Sequence, residues 1–145
     1  MKLSTRSRYA IMAMVDMAVN HVNGSEQKTM TLAEISNRQE LPIPYMEQLF
    51  LKLRKSGIVN SSRGSNGGYV LSKSPEKISI MEIVTSVDIP IKTTRCNGMT
   101  GCKSNGSVCL THDLWEGLES VIKKYLMDVS LFDVCEKNII KDIES

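Results

Sequence analysis

The segment TLAEISNRQELPIPYMEQLFLKLRKSG, which begins at Thr31, constrains the fold more than any other part of the chain. Thr31 lies three residues before Glu34, the spacing of a capping box that starts a helix. The two prolines that follow fit only the approach or the first turn of a second helix, and Gly57 is typical of its end. Two short helices with a tight joint predict a helix-turn-helix.

The next segment, IVNSSRGSNGGYVLS, predicts a hairpin directly behind the second helix. We expect two brief strands, Ile58–Ser61 and Tyr69–Leu71, because both are rich in residues that favour strands. The loop between them contains Arg63 and three glycines. A hairpin with a basic tip in this position is typical of the wing of a winged helix-turn-helix.

Further helices are predicted on both sides of this unit. Apolar residues recur at helical spacing from about Thr5 to about His21. Ser79 lies three residues before Glu82, and this second capping box predicts another helix. These elements give a DNA-binding unit of helices with one small sheet.

The C-terminal third predicts a long helix and a final one. Thr111 is placed to cap the long helix, and Ser130 to Ile143 is expected to form the last helix, with Asp133 completing its cap. One apolar stripe runs along the long helix: Leu114, Leu118, Val121, Ile122, Tyr125 and Leu126. Such a stripe predicts a dimer contact. The expected fold is mainly α, a winged helix-turn-helix with a two-stranded wing and a long C-terminal dimerisation helix.

Charge and length narrow the function. The chain has 145 residues, enough for one domain or for a small module with an oligomerisation arm. Residues 1–70 carry nine Lys/Arg and five Asp/Glu, whereas residues 71–145 carry nine and eleven. The basic half is therefore the candidate for binding a polyanion. We expect neither a signal peptide nor a membrane span, and hence a cytosolic protein with reduced thiols.

Specific residues follow from the helix-turn-helix, which reads DNA with the start of its second helix. Gln48 can pair with adenine, Glu47 can accept from cytosine, and Tyr45 can reach a phosphate. The complete set of predicted DNA contacts is Lys2, Arg6, Arg8, Pro44, Tyr45, Glu47, Gln48 and Arg63. The alternative is a helical interaction domain whose charges are a solvated face.

The segment RCNGMTGCKSNGSVCLTHDLW holds three of the four cysteines and one of the two histidines. Cys96, Cys102, Cys109 and His112 are separated by five, six and two residues, mostly Gly, Asn, Ser and Thr, which cannot build a core. Thiolate and imidazole are ligands of zinc, copper and iron-sulfur clusters, so the residues predict a Cys3His site without choosing the metal. Cys135, among apolar neighbours, is expected to be a buried thiol.

The stretches LSTRSRYAIMAMVDMA, IPYMEQLFLKLRKSGIV, SRGSNGGYVL and CNGMTGC...CLTHDLW together resemble the IscR-type iron-sulfur cluster regulators of bacteria, of the Rrf-type winged-helix family. The resemblance implies a homodimeric repressor of cluster-assembly genes that binds operator DNA and receives a [2Fe-2S] cluster from the assembly machinery. By position, the cluster ligands would be Cys96, Cys102, Cys109 and His112.

The sequence departs from the family pattern at two places. KSNGSV places one residue more than is usual between Cys102 and Cys109, and Pro44 replaces a small hydroxyl residue that can contact DNA. The resemblance divides the chain into a DNA-binding domain at 1–88, a cluster-binding loop at 89–112, and dimerisation and C-terminal helices at 113–145.

Two other functions use the same residues. A winged-helix regulator could sense zinc or thiol redox state through the same cysteines, and an iron-sulfur electron carrier could use its basic half to dock a protein. The sequence shows no nucleophile paired with a base and no phosphate loop, so we do not expect an enzyme.

Overall fold

The computed structural model describes residues 3–20, 29–63, 67–88 and 109–137, together with the backbone of two short strands between 22 and 27. The elements in chain order are α1 (Thr5–Val19), β1 (Val22–Asn23), β2 (Glu26–Gln27), α2 (Leu32–Gln39), α3 (Ile43–Lys55), β3 (Val59–Ser62), β4 (Gly68–Leu71), a 3-10 turn (Pro75–Lys77), α4 (Ile80–Val87), α5 (His112–Asp128) and α6 (Leu131–Cys135). None of the helices in these ranges combines the length and the apolar composition needed to cross a bilayer.

Helices α2 and α3 form the predicted helix-turn-helix. The Thr31 hydroxyl accepts from the amide of Glu34, whose carboxylate accepts from the Thr31 amide, which completes the capping box. Helix α2 ends at Glu40, which adopts a left-handed conformation with φ of 56°. Pro42 then precedes α3 as its N-cap, so the prolines lie where the sequence placed them.

The wing consists of β3 and β4, paired antiparallel from Val59 opposite Leu71 to Ser62 opposite Gly68. Met30 extends this pairing, because its amide and carbonyl both bond to the backbone of Tyr69, at 2.9 and 2.7 Å. The wing is thereby fixed to the segment that leads into α2.

One core holds these elements together. It contains buried residues of α1, α2, α3, α4 and both wing strands, and its largest side chains include Phe50, Met14, Met17 and Leu53. Leu131, from α6, is also fully buried in it. The backbone supports this packing, since the amide of Leu131 donates to the carbonyl of Ile78 at 2.8 Å and that of Ile80 to Val129 at 3.0 Å.

Several boundaries differ from the sequence expectations. Helix α1 ends at Val19, where the Asn20 side chain donates to the Asp16 carbonyl, and His21 lies outside the described residues. Strand β3 is shifted by one residue towards the C-terminus, and β4 begins one residue earlier than expected. The last helix ends at Cys135 instead of continuing to Ile143, because Lys137 has a φ of 56°, which leaves the helical path. The hairpin of β1 and β2 and the 3-10 turn were not expected.

Candidate DNA-binding face and metal centre

The first turns of α3 present the predicted reading residues. Pro44, Glu47 and Gln48 are exposed, as side chains that contact a groove must be. Tyr45 is only half-buried, and its ring packs edge-on against Tyr9 with the centroids 5.5 Å apart. The phenol is thus positioned from α1, which the sequence interpretation did not anticipate.

Two predicted cations lie at the start of α1. Arg6 and Arg8 are exposed on the first turns of this helix. Arg6 lines one pocket with residues from the last turns of α3, so its charge lies towards the end of that helix. Lys2 lies outside the described residues.

Arg63 is exposed immediately after the end of β3. Gly68 anchors the returning strand: its φ is +153°, and a Cβ there would lie 2.4 Å from the carbonyl oxygen of Met30. Only glycine allows β4 to approach Met30 this closely. The ring of Tyr69 contacts that of Phe50 in α3, with the ring centroids 4.9 Å apart. This contact packs the wing against the reading helix.

An ion pair between a buried carboxylate and an exposed guanidinium, which the sequence interpretation missed, joins α1 to α2. Asp16 is 5% exposed, and Arg38 Nε donates to its two carboxylate oxygens at 2.8 and 3.0 Å. The hydrogen bond to Asp16 raises the pKa of the Arg38 guanidinium, although partial burial opposes this. An acid inside the apolar run of α1 was the available signal, since buried carboxylates require a partner.

Two of the four candidate metal ligands come together where α5 begins. The amide of His112 donates to the carbonyl of Cys109 at 3.1 Å, which folds the two residues into one turn. Cys109 is half-buried, and the His112 side chain is 14% exposed with Nε2 3.6 Å from Glu116 Oε2. Cys109 and His112 therefore lie in one turn at the start of a helix, whose dipole favours negative charge there.

Thr111 is the N-cap residue of α5, but the expected cap hydrogen bond is absent. Its backbone is helical, with φ of −93° and ψ of 0°, unlike the extended conformation of the other caps. In this conformation the hydroxyl lies 3.4 Å from Cys109 Sγ. Thr111 consequently contacts the thiol and leaves the helix amides uncapped by its side chain.

The remaining cysteines have different positions. Cys96 and Cys102 lie outside the described residues, and among the described ones no three His, Cys, Asp or Glu side chains gather as a metal site. Cys135, expected to be buried, is only half-buried, with Sγ 4.0 Å from the carbonyl of Val15. Burial, followed by the charge of Glu136, raises the pKa of its thiol.

Helix α5 exposes most of its predicted apolar stripe. Leu114, Leu118, Val121 and Tyr125 are 63%, 38%, 65% and 42% exposed. The one buried residue of the helix is Glu119, which bonds Lys123. These four side chains thus face away from the core of their own chain, whereas Leu126 of the same stripe packs against it.

Comparison with known proteins identifies the family. The model of the Rrf2 family, described as iron-dependent transcriptional regulators, matches residues 3–137. The HTH-type transcriptional regulator IscR of Klebsiella pneumoniae is 41% identical over 143 residues, which cover 99% of this chain and 85% of that protein.

Solved structures agree. IscR of T. potens has a TM-score of 0.76 at 30% identity, covering 95% of this chain and 88% of its own. CymR of B. subtilis, titled the global cysteine regulator, has a TM-score of 0.77 at 28% identity, covering 94% and 98%. The fold expectation is confirmed, and the comparisons indicate a DNA-binding regulator instead of an enzyme. This chain belongs to the Rrf2 family of transcriptional regulators.

Proposed function

We propose that this protein is a repressor that senses iron-sulfur cluster status through a [2Fe-2S] cluster and controls genes for cluster assembly. The observation that carries the proposal is the pairing of Cys109 and His112 in one turn at the start of α5, within a chain whose family is iron-dependent. The proposed setting is the cytoplasm, with the cluster-assembly machinery as the source of the cluster.

The proposed ligands are Cys96, Cys102, Cys109 and His112. The described pair fits such a group, because thiolate and imidazole are both ligands of iron and both lie at the positive end of a helix. A bound cluster would supply a state that depends on iron supply and on oxidation. Glu116 Oε2 lies 3.6 Å from the imidazole Nε2, one turn along α5, which is the side from which supporting residues of metal sites commonly act.

The proposed DNA contacts are those on α3, α1 and the wing: Lys2, Arg6, Arg8, Pro44, Tyr45, Glu47, Gln48 and Arg63. Glu47 would select by exclusion, since a carboxylate near DNA is tolerated only where a cytosine amine can donate to it. Tyr45, held by Tyr9, would place its hydroxyl towards a phosphate.

We propose a homodimer formed through α5. Leu114, Leu118, Val121 and Tyr125 follow one another by four, three and four residues, the spacing of a coiled-coil seam. Their exposure in the single chain supports a second copy as the occupant. The same division of labour assigns 1–88 to DNA binding, 89–112 to the cluster and 113–145 to dimerisation and the C-terminal helix.

Regulation requires that the cluster-bound and cluster-free forms differ in their affinity for DNA. The chain offers a route: Cys109 and His112 lie at the start of α5, and the backbone bonds of Ile80 to Val129 and of Leu131 to Ile78 tie its far end to α4. A shift of α5 would therefore move elements that support the winged helix.

The test is an anaerobic visible spectrum of the purified protein, with iron and sulfide counted per chain. We expect a coloured protein with equal iron and sulfide, loss of the colour in Cys109→Ser, and a folded protein with a shortened cluster lifetime in His112→Ala. Cys135→Ser is the matched control and should keep the spectrum.

Two outcomes would contradict the proposal. A protein that stays colourless after anaerobic reconstitution would leave DNA binding in place and move the cysteines to zinc or thiol sensing. An unchanged spectrum and lifetime in His112→Ala would remove the histidine from the ligand set. The electron-carrier alternative receives no support from a family of transcriptional regulators.

A further inference from the structure

We propose that a pocket between the start of α1 and the ends of α3 and α4 binds a phosphate of the DNA backbone. The proposal rests on the DNA-binding function above and adds a contact at the far end of α3. Neither lysine of this pocket, Lys52 or Lys55, belongs to the predicted set of DNA contacts.

The pocket is an open cavity of about 360 Å³ with three cationic side chains in its lining. Arg6 comes from the first turn of α1, and Lys52 and Lys55 come from the last turns of α3. Ser56, which follows α3, adds a hydroxyl that can donate a hydrogen bond. A guanidinium, two ammonium groups and a hydroxyl on one concave surface match the chemistry of a phosphate.

None of these cations forms an ion pair within the described part of the chain, although Asp88 lines the same pocket. The ion pairs there involve other cations, for example Lys73 with Glu82 at 2.8 Å and Lys124 with Asp128 at 2.6 Å. The positive charge of the pocket therefore remains available to a phosphate that arrives from solution.

The pocket continues the face of α3 that carries the reading residues. Lys52 follows Gln48 by four residues and Lys55 follows it by seven, so the three side chains leave the same side of the helix. All three are exposed. A duplex whose bases contact Gln48 would consequently bring its backbone past the two lysines.

One carboxylate, that of Asp88, also lines the pocket. The hydroxyl of the fully buried Ser7 donates to Asp88 Oδ2 at 3.0 Å, which holds this carboxylate at the end of α4. Three cationic side chains against this one carboxylate leave the lining of the pocket with a positive charge.

The experiment measures binding of a fluorescent mixed-sequence duplex by anisotropy over a series of salt concentrations. Lys52→Gln/Lys55→Gln is compared with Lys77→Gln/Lys137→Gln, which changes the charge equally at two exposed lysines outside the pocket. Each phosphate contact makes affinity vary with nearly the first power of salt, so we expect the pocket of each protomer to contribute roughly tenfold at about 0.1 M salt. Because the proposed dimer has two such pockets, the slope of log affinity against log salt should fall by about 2 in the pocket variant.

The results separate the two proposals. If the unaltered protein shows no salt-dependent binding to duplex DNA, the proposed function itself fails. If it binds but the pocket variant matches the control in affinity and slope, the pocket proposal alone is overturned.

Discussion

Helices α4 and α5 pack against each other but differ in their exposure to solvent. Helix α4 has eight residues, of which four are buried in the core. Helix α5 has seventeen residues and buries one, Glu119, while most of its large apolar side chains face outwards. The difference teaches that burial within a single chain completes α4 and leaves α5 with an apolar surface that requires a partner.

The prediction with the largest expected effect replaces apolar residues on the exposed face of α5. We expect Leu118→Asp/Val121→Asp to convert a dimer into a folded monomer, because each apolar side chain buried at the seam contributes about 1.5–3 kcal/mol and both copies lose two. The dissociation constant should rise by more than about 100-fold. Sedimentation equilibrium measures it.

The matched control is Ile43→Asp/Leu51→Asp, which places two acids at exposed apolar positions of α3. This variant should keep the dimer, since α3 belongs to the DNA-binding face. Equal masses for the two double variants would show that α5 is not the dimer helix.

The second prediction concerns the stability of the wing and its core, away from the proposed dimer contact of α5. Gly68→Ala should lower the free energy of unfolding by about 2–4 kcal/mol, because backbone strain and the clash with the Met30 carbonyl add. Gly57→Ala, which has a φ of +78° and nothing within 4 Å, should lose only about 1 kcal/mol. Urea unfolding measures the free energy of unfolding of both variants. Equal losses would show that the close contact between Gly68 and Met30 does not add to the cost of the substitution.

The prediction with the smallest expected effect concerns how the stability that Glu82 gives to α4 depends on pH. Burial by itself would raise the pKa of Glu82, but hydrogen bonds from Lys73 and from the Ser79 amide lower it below 4.5. A carboxyl whose pKa is lower in the folded state stabilises that state at pH values above its unfolded-state pKa. This contribution is lost as the pH falls through the folded-state pKa. Because Glu82 is partly exposed, Glu82→Gln should lower the free energy of unfolding by only about 0.5 kcal/mol at neutral pH.

This difference between Glu82→Gln and the unaltered protein should disappear in acid. Urea unfolding at several pH values measures it, with Glu76→Gln as a control that removes an exposed carboxylate outside the α4 cap. A constant difference down to low pH would mean that Glu82 acts through packing and not through its charge.

The sequence predicted the parts that depend on local chemistry. The capping boxes at Thr31, Ser79 and Ser130 and the prolines before α3 have direct local signatures, and the structure confirms them. Contacts between distant segments leave no such signature. Tyr9 against Tyr45, and Ser7 against Asp88, depend on how α1 packs across the other helices.

The candidate site divides in the same way. The position of Cys109 and His112 at a helix start was predictable from the residues that follow them, and the structure places them there. The conformation of Thr111 was not, because a threonine at an N-cap position is compatible with more than one backbone geometry. The roles of all four ligands remain predictions.

The burial of Leu131 bears on how proteins of this architecture can evolve. This residue follows α5 in the chain, yet it is enclosed by the same core as Met14 and Phe50. The winged helix and the segment behind the proposed sensor are therefore not interchangeable modules. A different sensor could be acquired by replacing the stretch between α4 and α5, whereas exchange of the whole C-terminal part would open a cavity in the common core.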